Sequence, residues 1–101
     1  MKNNIIISPD AYKDISRHVK FLSMISASAA NKLNNEFYTY IKSLEENPLR
    51  NPIFLVENVD IKYRKLFVPK RYIILYEVED DNVYVDYVID CRQSNSWLLD
   101  F

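Results

Sequence analysis

The sequence predicts an α+β fold in the order β-α-α-β-β-β, with an N-terminal helical hairpin packed on a curved, mostly antiparallel sheet. Three observations predict it. Apolar residues of the first half recur at helical spacing, those of the second half fall in β-branched and aromatic runs, and the change of period follows the proline-bounded segment "ENPLRNP". At 101 residues, 49% hydrophobic and 14% aromatic, the chain reads as one domain, residues 1–101, able to bury a real core.

The elements follow in order. "NNIIIS" is a short strand, Ile5 to Ile7. Ser8 then supplies an N-cap, Pro9 fills the first helical position, and Asp10 sits at the positive end of the helix dipole. Tyr12, Ile15, Val19 and Leu22 make one apolar stripe, and the small, polar stretch "SMISASAAN" breaks the helix. Ala30, Leu33, Phe37, Ile41 and Leu44 make a second stripe, ended where Asn47 precedes Pro48. Two amphipathic helices with a short connection form an antiparallel hairpin. Ile61 to Val68, Arg71 to Val78 and Asn82 to Ile89 read as three strands, joined by loops short enough for antiparallel neighbours. In the last, Val83, Val85, Tyr87 and Ile89 alternate with Tyr84, Asp86 and Val88, so the first set is expected on the drier face. Ile53 to Asp60 fits either a connecting loop or an extra strand.

Composition excludes several functions. The sequence has no Gly, so the phosphate-binding turns that need close backbone approach are not available, and nucleotide cofactors are not expected. One His and one Cys provide no ligand set, so no metal is expected. The lone Cys excludes an internal disulfide and fits a reducing cytosol. No apolar run reaches the length of a membrane span, and no secretory segment follows Met1. With 13 basic and 14 acidic residues, any anion-binding role requires a local patch.

In this order, and in particular residues, the chain resembles the RelE/ParE superfamily of bacterial type II toxins. The likeness covers nearly the whole chain. It rests on "IIISPDAYKDI" entering the first helix, on "AANKLNNEFYTYIKSLEENPLRNP" as the second helix and its exit, and on "KYRKLFVPKRYIILYEVEDDNVYVDYVIDCRQ" as the hairpin and last strand. The resemblance implies a cytoplasmic toxin held in a hetero-oligomer by a cognate antitoxin. Two mechanisms share the fold: ParE-like members poison DNA gyrase, and RelE-like members cut mRNA on the ribosome. Fold alone does not choose between them.

Cutting RNA needs groups that take and give protons and cations that stabilise the charged phosphorane. If this chain is a ribonuclease, the resemblance assigns that work to Lys62, Arg64, Lys65 and Arg92. Two positions depart from the RelE pattern: Ile73 stands where an Arg is expected and Leu98 where the terminal Tyr would fall. These departures favour the ParE-like reading, in which the C-terminal segment "CRQSNSWLLDF" meets a protein target through Arg92, Trp97, Leu98 and Phe101. No catalytic residue is then required.

Each candidate also has a plain structural reading. Lys62, Arg64 and Lys65 would solvate one face of an edge strand. Cys91 is expected to be a small half-buried residue, not a nucleophile, and His18 an exposed or half-exposed helix residue. Trp97 with Leu98 and Leu99 would plug the core, and "EVEDDN" is a solvated turn.

Overall fold

The computed structural model of the chain describes residues 2–55, 62–69 and 72–91. Strand β1 (Asn4–Ile7) runs into helix α1 (Pro9–Ser23). The helix starts where expected: Ser8 is extended and its Oγ accepts the Ala11 N–H at 3.0 Å. Ser26 repeats the device at 3.2 Å for Ala29, opening helix α2 (Ala27–Lys42). Only residues 24–26 separate the helices, so they return antiparallel. Beyond α2 the chain tightens into 3-10 turns at Ser43–Glu45 and Pro48–Arg50. Between them Asn47 has φ 50°, because the Pro48 ring denies it the right-handed helical region and Asn tolerates the left-handed one.

Four more strands follow: β2 (Ile53–Leu55), β3 (Lys62–Val68), β4 (Tyr72–Glu79) and β5 (Asn82–Asp90). They form a five-stranded sheet of order β1-β5-β4-β3-β2, antiparallel except that β1 runs parallel to β5. The segment left open between loop and strand thus begins as a strand over Ile53–Leu55, and residues 56–60 lie outside the described residues. So do Ile61 and Arg71, the expected first residues of two strands, which are described from Lys62 and Tyr72. With β2 alongside, β3 is not the edge strand that the plain reading of its basic residues assumed.

Both helices cover one face of the sheet. Ile15, Leu33 and Phe37 pack there against Ile74, Val83 and Val85, all nearly without exposure. Three expectations are corrected. Tyr12 is half-exposed at 51%, because the buried stripe of α1 runs through Ala11, Ile15 and His18, one position round the helix; the small Ala11 lets the helix sit close to the sheet. His18, expected at the surface, is only 5% exposed. The alternation of β5 breaks at Asp86: Tyr76 pairs with Val85 but Leu75 with Tyr87, so Asp86 is an extra residue in a β-bulge. Past the bulge the faces exchange. Val88 joins the helix-covered core, while Ile89 turns to the opposite face beside Tyr63 and Leu75.

Candidate functional site

Of the basic residues proposed for catalysis, Arg64 and Lys65 do not converge. Arg64 and Lys65 are consecutive in β3 and so point to opposite faces of the sheet. Arg64 is half-buried, and its Nη1 donates to the carbonyl oxygens of Leu49 at 3.1 Å and Asn51 at 2.6 Å. Its guanidinium brackets the turn before β2. The same turn is held from β4: the fully buried Tyr76 donates its hydroxyl to the Pro48 carbonyl at 2.6 Å and accepts from the Asn51 amide at 3.0 Å. Burial pushes the Tyr76 phenol up, against the opposing pull of the Asn51 hydrogen bond and of Arg64 and Arg50. Lys65 faces the other way, half-buried, with Nζ 5.5 Å from the centre of the Phe67 ring. Lys62 pairs through its backbone with Leu55. Arg92, Trp97, Leu98, Leu99 and Phe101 lie outside the described residues.

The sheet face away from the helices carries a second apolar cluster of Tyr63, Leu75 and Ile89, with Ile73 packed against it. Ile73, in the place of a catalytic Arg, pairs with Phe67 on one side and Ile89 on the other. Phe67 and Tyr87 remain partly exposed at the rim. The bulge brings Asp86 to Glu77 and Tyr63 on this face. Hydrogen bonding to Asp86, then burial, then the charges of Asp86 and Glu79 raise the Glu77 carboxyl to about 7. Burial, reinforced by Asp86, pushes the Tyr63 phenol well above its ordinary value. This group of three was missed in the sequence. Its only signal was an Asp at the centre of the apolar run "VYVDYVI".

Cys91 is half-buried, and burial followed by the charge of Asp90 pushes its thiol up, as expected of a structural residue and not of a nucleophile. Among the described residues no group of three His, Cys, Asp or Glu is placed to hold a metal ion. No helix among them is long and apolar enough to cross a membrane.

The far end of β5, which leads into the C-terminal segment, is held by α1. β1 pairs with β5 only from Asn82 to Val85, so from Asp86 onward no strand among the described residues lies along that edge. Buried backbone groups left without partners cost about 1–3 kcal/mol each. Residues of and before α1 supply the partners instead. The Ser8 N–H donates to the Val85 carbonyl at 2.9 Å and its Oγ to the Asp86 carbonyl at 3.0 Å. Asp14 Oδ2 accepts the Val88 N–H at 3.0 Å, and His18 Nε2 lies 2.9 Å from the Val88 carbonyl. A carbonyl only accepts, so Nε2 carries the proton in this contact. The other Asp14 oxygen takes Arg17 at 3.0 Å.

On the outer side of the helical hairpin a groove of about 540 Å³ runs between Tyr12 and Tyr38 over Ile15 and Val19, with Lys20 at its edge. Acidic side chains are absent from its described lining.

A family model described as the ParE toxin of the type II toxin-antitoxin system, parDE, matches residues 5–95. No curated protein matches. Among solved structures, a chain described as the chromosomal ParDE TA system from P. aeruginosa is similar, with a TM-score of 0.71 over 88% of this chain and 96% of that one. At 12% identity that likeness speaks for the fold alone.

Proposed function

We propose, from the premise that this chain belongs to the ParE toxin family of type II toxin-antitoxin systems, that it arrests growth by inhibiting a protein target such as DNA gyrase. One observation carries the choice of a protein target over RNA cleavage. Arg64 is committed to two backbone carbonyls while Lys65 faces the opposite side of the sheet, so these two cations do not act together on one phosphorane. The target contact falls to the segment after Cys91, with Arg92 as the charged anchor and Trp97, Leu98 and Phe101 as apolar contacts. A cognate antitoxin silences the toxin in a hetero-oligomer. The hairpin groove suits an amphipathic antitoxin segment with acidic flanks, given Lys20 and the lack of acidic groups in the described lining.

Purified protein should stabilise gyrase–DNA cleavage complexes, and adding the product of the adjacent open reading frame should reverse the effect. Normal supercoiling with toxin in excess would overturn the gyrase reading. New mRNA 5′ ends inside codons after induction would put the ribonuclease reading in its place.

A further inference from the structure

We propose that one proton shared between Glu77 and Asp86 closes the β-bulge of β5, and that its loss in alkaline solution loosens the bulge and, through the Ser8 hydroxyl, the first turn of α1.

The bulge itself makes the pair. Tyr76 pairs with Val85 and Leu75 with Tyr87, so Asp86 is the extra residue, brought beside Glu77. Two ionised carboxylates have no hydrogen to offer each other, so a hydrogen bond between these side chains demands a proton. Carried by Glu77, it leaves Asp86 to accept from Glu77 and from the Tyr63 hydroxyl. The bulged residue is thereby tied to β4 and β3 at once. With the proton gone, two half-buried negative charges face each other at the bulge, and Glu79 adds to the repulsion. Lys65, opposite Leu75, and the phenols of Tyr84 and Tyr87, opposite Glu77 and Leu75, share this face of the sheet. Hydrogen bonding to Asp86, then burial, raise the Glu77 carboxyl to about 7, so the proton leaves as pH rises through that value.

Asp86 also faces the helices. While its carboxyl meets Glu77 and Tyr63, its carbonyl accepts from the Ser8 Oγ at 3.0 Å. That hydroxyl is the N-cap of α1, and it accepts the Ala11 N–H at 3.0 Å. Its hydrogen is directed to the Asp86 carbonyl, which leaves a lone pair for Ala11. The Ser8 N–H is tied to the Val85 carbonyl, and the Ser8 carbonyl accepts from Tyr12, which lines the hairpin groove. A shift of the bulge backbone therefore reaches the cap directly, and the wall of the groove one residue later. From α1, Asp14 and His18 hold Val88 just past the bulge.

The experiment follows amide hydrogen exchange of the full-length chain between about pH 5.5 and about pH 8.5, each rate referred to that of an unfolded amide at the same pH. Ala29 is the internal control, because Ser26 caps its N–H in the same way at the start of α2. Protection of Ala11 relative to Ala29 should fall about fivefold as pH rises, the lower end of coupling between linked sites. Glu77→Gln should abolish the fall, since an amide donates to Asp86 at every pH. Constant relative protection in the wild type would overturn the proposal. So would a fall that persists in Glu77→Gln, which keeps Asp14 and His18 and would assign the response to them. Should Glu77→Gln fail to fold, Asp86→Asn, whose amide donates to an ionised Glu77, decides in its place. The NMR shift of the Glu77 carboxyl carbon reads the proton itself: titration in the ordinary carboxylate range would remove the shared proton and the proposal with it.

Discussion

Arg64→Ala distinguishes a bracket from a catalytic cation. The side chain makes two hydrogen bonds from Nη1, at 2.6 Å to the part-buried Asn51 carbonyl and at 3.1 Å to the exposed Leu49 carbonyl. A hydrogen bond from a charged donor is worth about 1.5–3 kcal/mol net, and more of that survives where water is excluded. The exposed bond to Leu49 is replaced by water on truncation and adds little. The expected loss is therefore about 2 kcal/mol, nearly all from Asn51. For a domain of this size it should lower the melting temperature by roughly 10 °C. In urea the midpoint should fall by about 1 M at unchanged slope, since the exposed surface of the unfolded chain is the same. Growth arrest by the variant, at a temperature where it is fully folded, should equal that of wild type. Two outcomes would refute the reasoning. A loss below about 0.5 kcal/mol, the range of ordinary surface substitutions, would mean that the bracket contributes nothing. A stable variant that no longer arrests growth would return Arg64 to the functional set.

Tyr76→Phe removes the hydroxyl that ties β4 to the same turn and leaves the buried Pro48 carbonyl without its partner, so equilibrium unfolding should show a loss of about 2 kcal/mol. Combined with Arg64→Ala it should be non-additive, because both side chains hold the turn from Pro48 to Asn51; strict additivity in the double-mutant cycle would contradict a shared latch. Glu77 gives a pH dependence of defined sign. Its folded carboxyl is raised to about 7, so its contribution to stability is fully present below the ordinary carboxylate range and is lost as pH rises through about 7. Glu77→Gln should therefore match wild type near pH 5 and exceed it by about 1 kcal/mol at pH 8, a figure already reduced for solvent screening at this partly exposed site; parallel stability–pH curves would exclude the raised Glu77 carboxyl. Cys91, its thiol pushed up, should alkylate with iodoacetamide more slowly than a free model thiol at pH 8, and faster labelling would mark it as activated.

What was legible in the sequence was what neighbours along the chain decide. Ser8, Pro9 and Asp10 define a helix start because a cap and its N–H lie three residues apart. The stripes of α1 and α2 and the exit at Asn47 follow equally short rules, and the cadence of the three long strands carried the family likeness. The same rules placed Arg64 and Lys65 next to each other and so in one candidate site, although consecutive strand residues face apart. Which face meets the helices, and which loop lies within reach of Arg64, depend on pairing with β4 and on a turn 13 to 15 residues earlier.

The misread positions share a cause of this kind. His18 looked like a surface residue because its polar partner, the Val88 carbonyl, is 70 positions away; Asp14 reaches the same residue across 74. The faces of β5 were misassigned past Asp86 because a bulge is a property of two paired strands and one strand's alternation cannot reveal it. Glu77 acquired its raised carboxyl only when that bulge delivered Asp86 to it. The sequence by itself determined the first strand, the two helices and the three long strands, their order and the family likeness, since helix and strand periods are written within a few residues. The tertiary structure alone decided which polar side chains are brackets and clasps, because burial and hydrogen-bond partners are assigned by residues that meet across the whole chain.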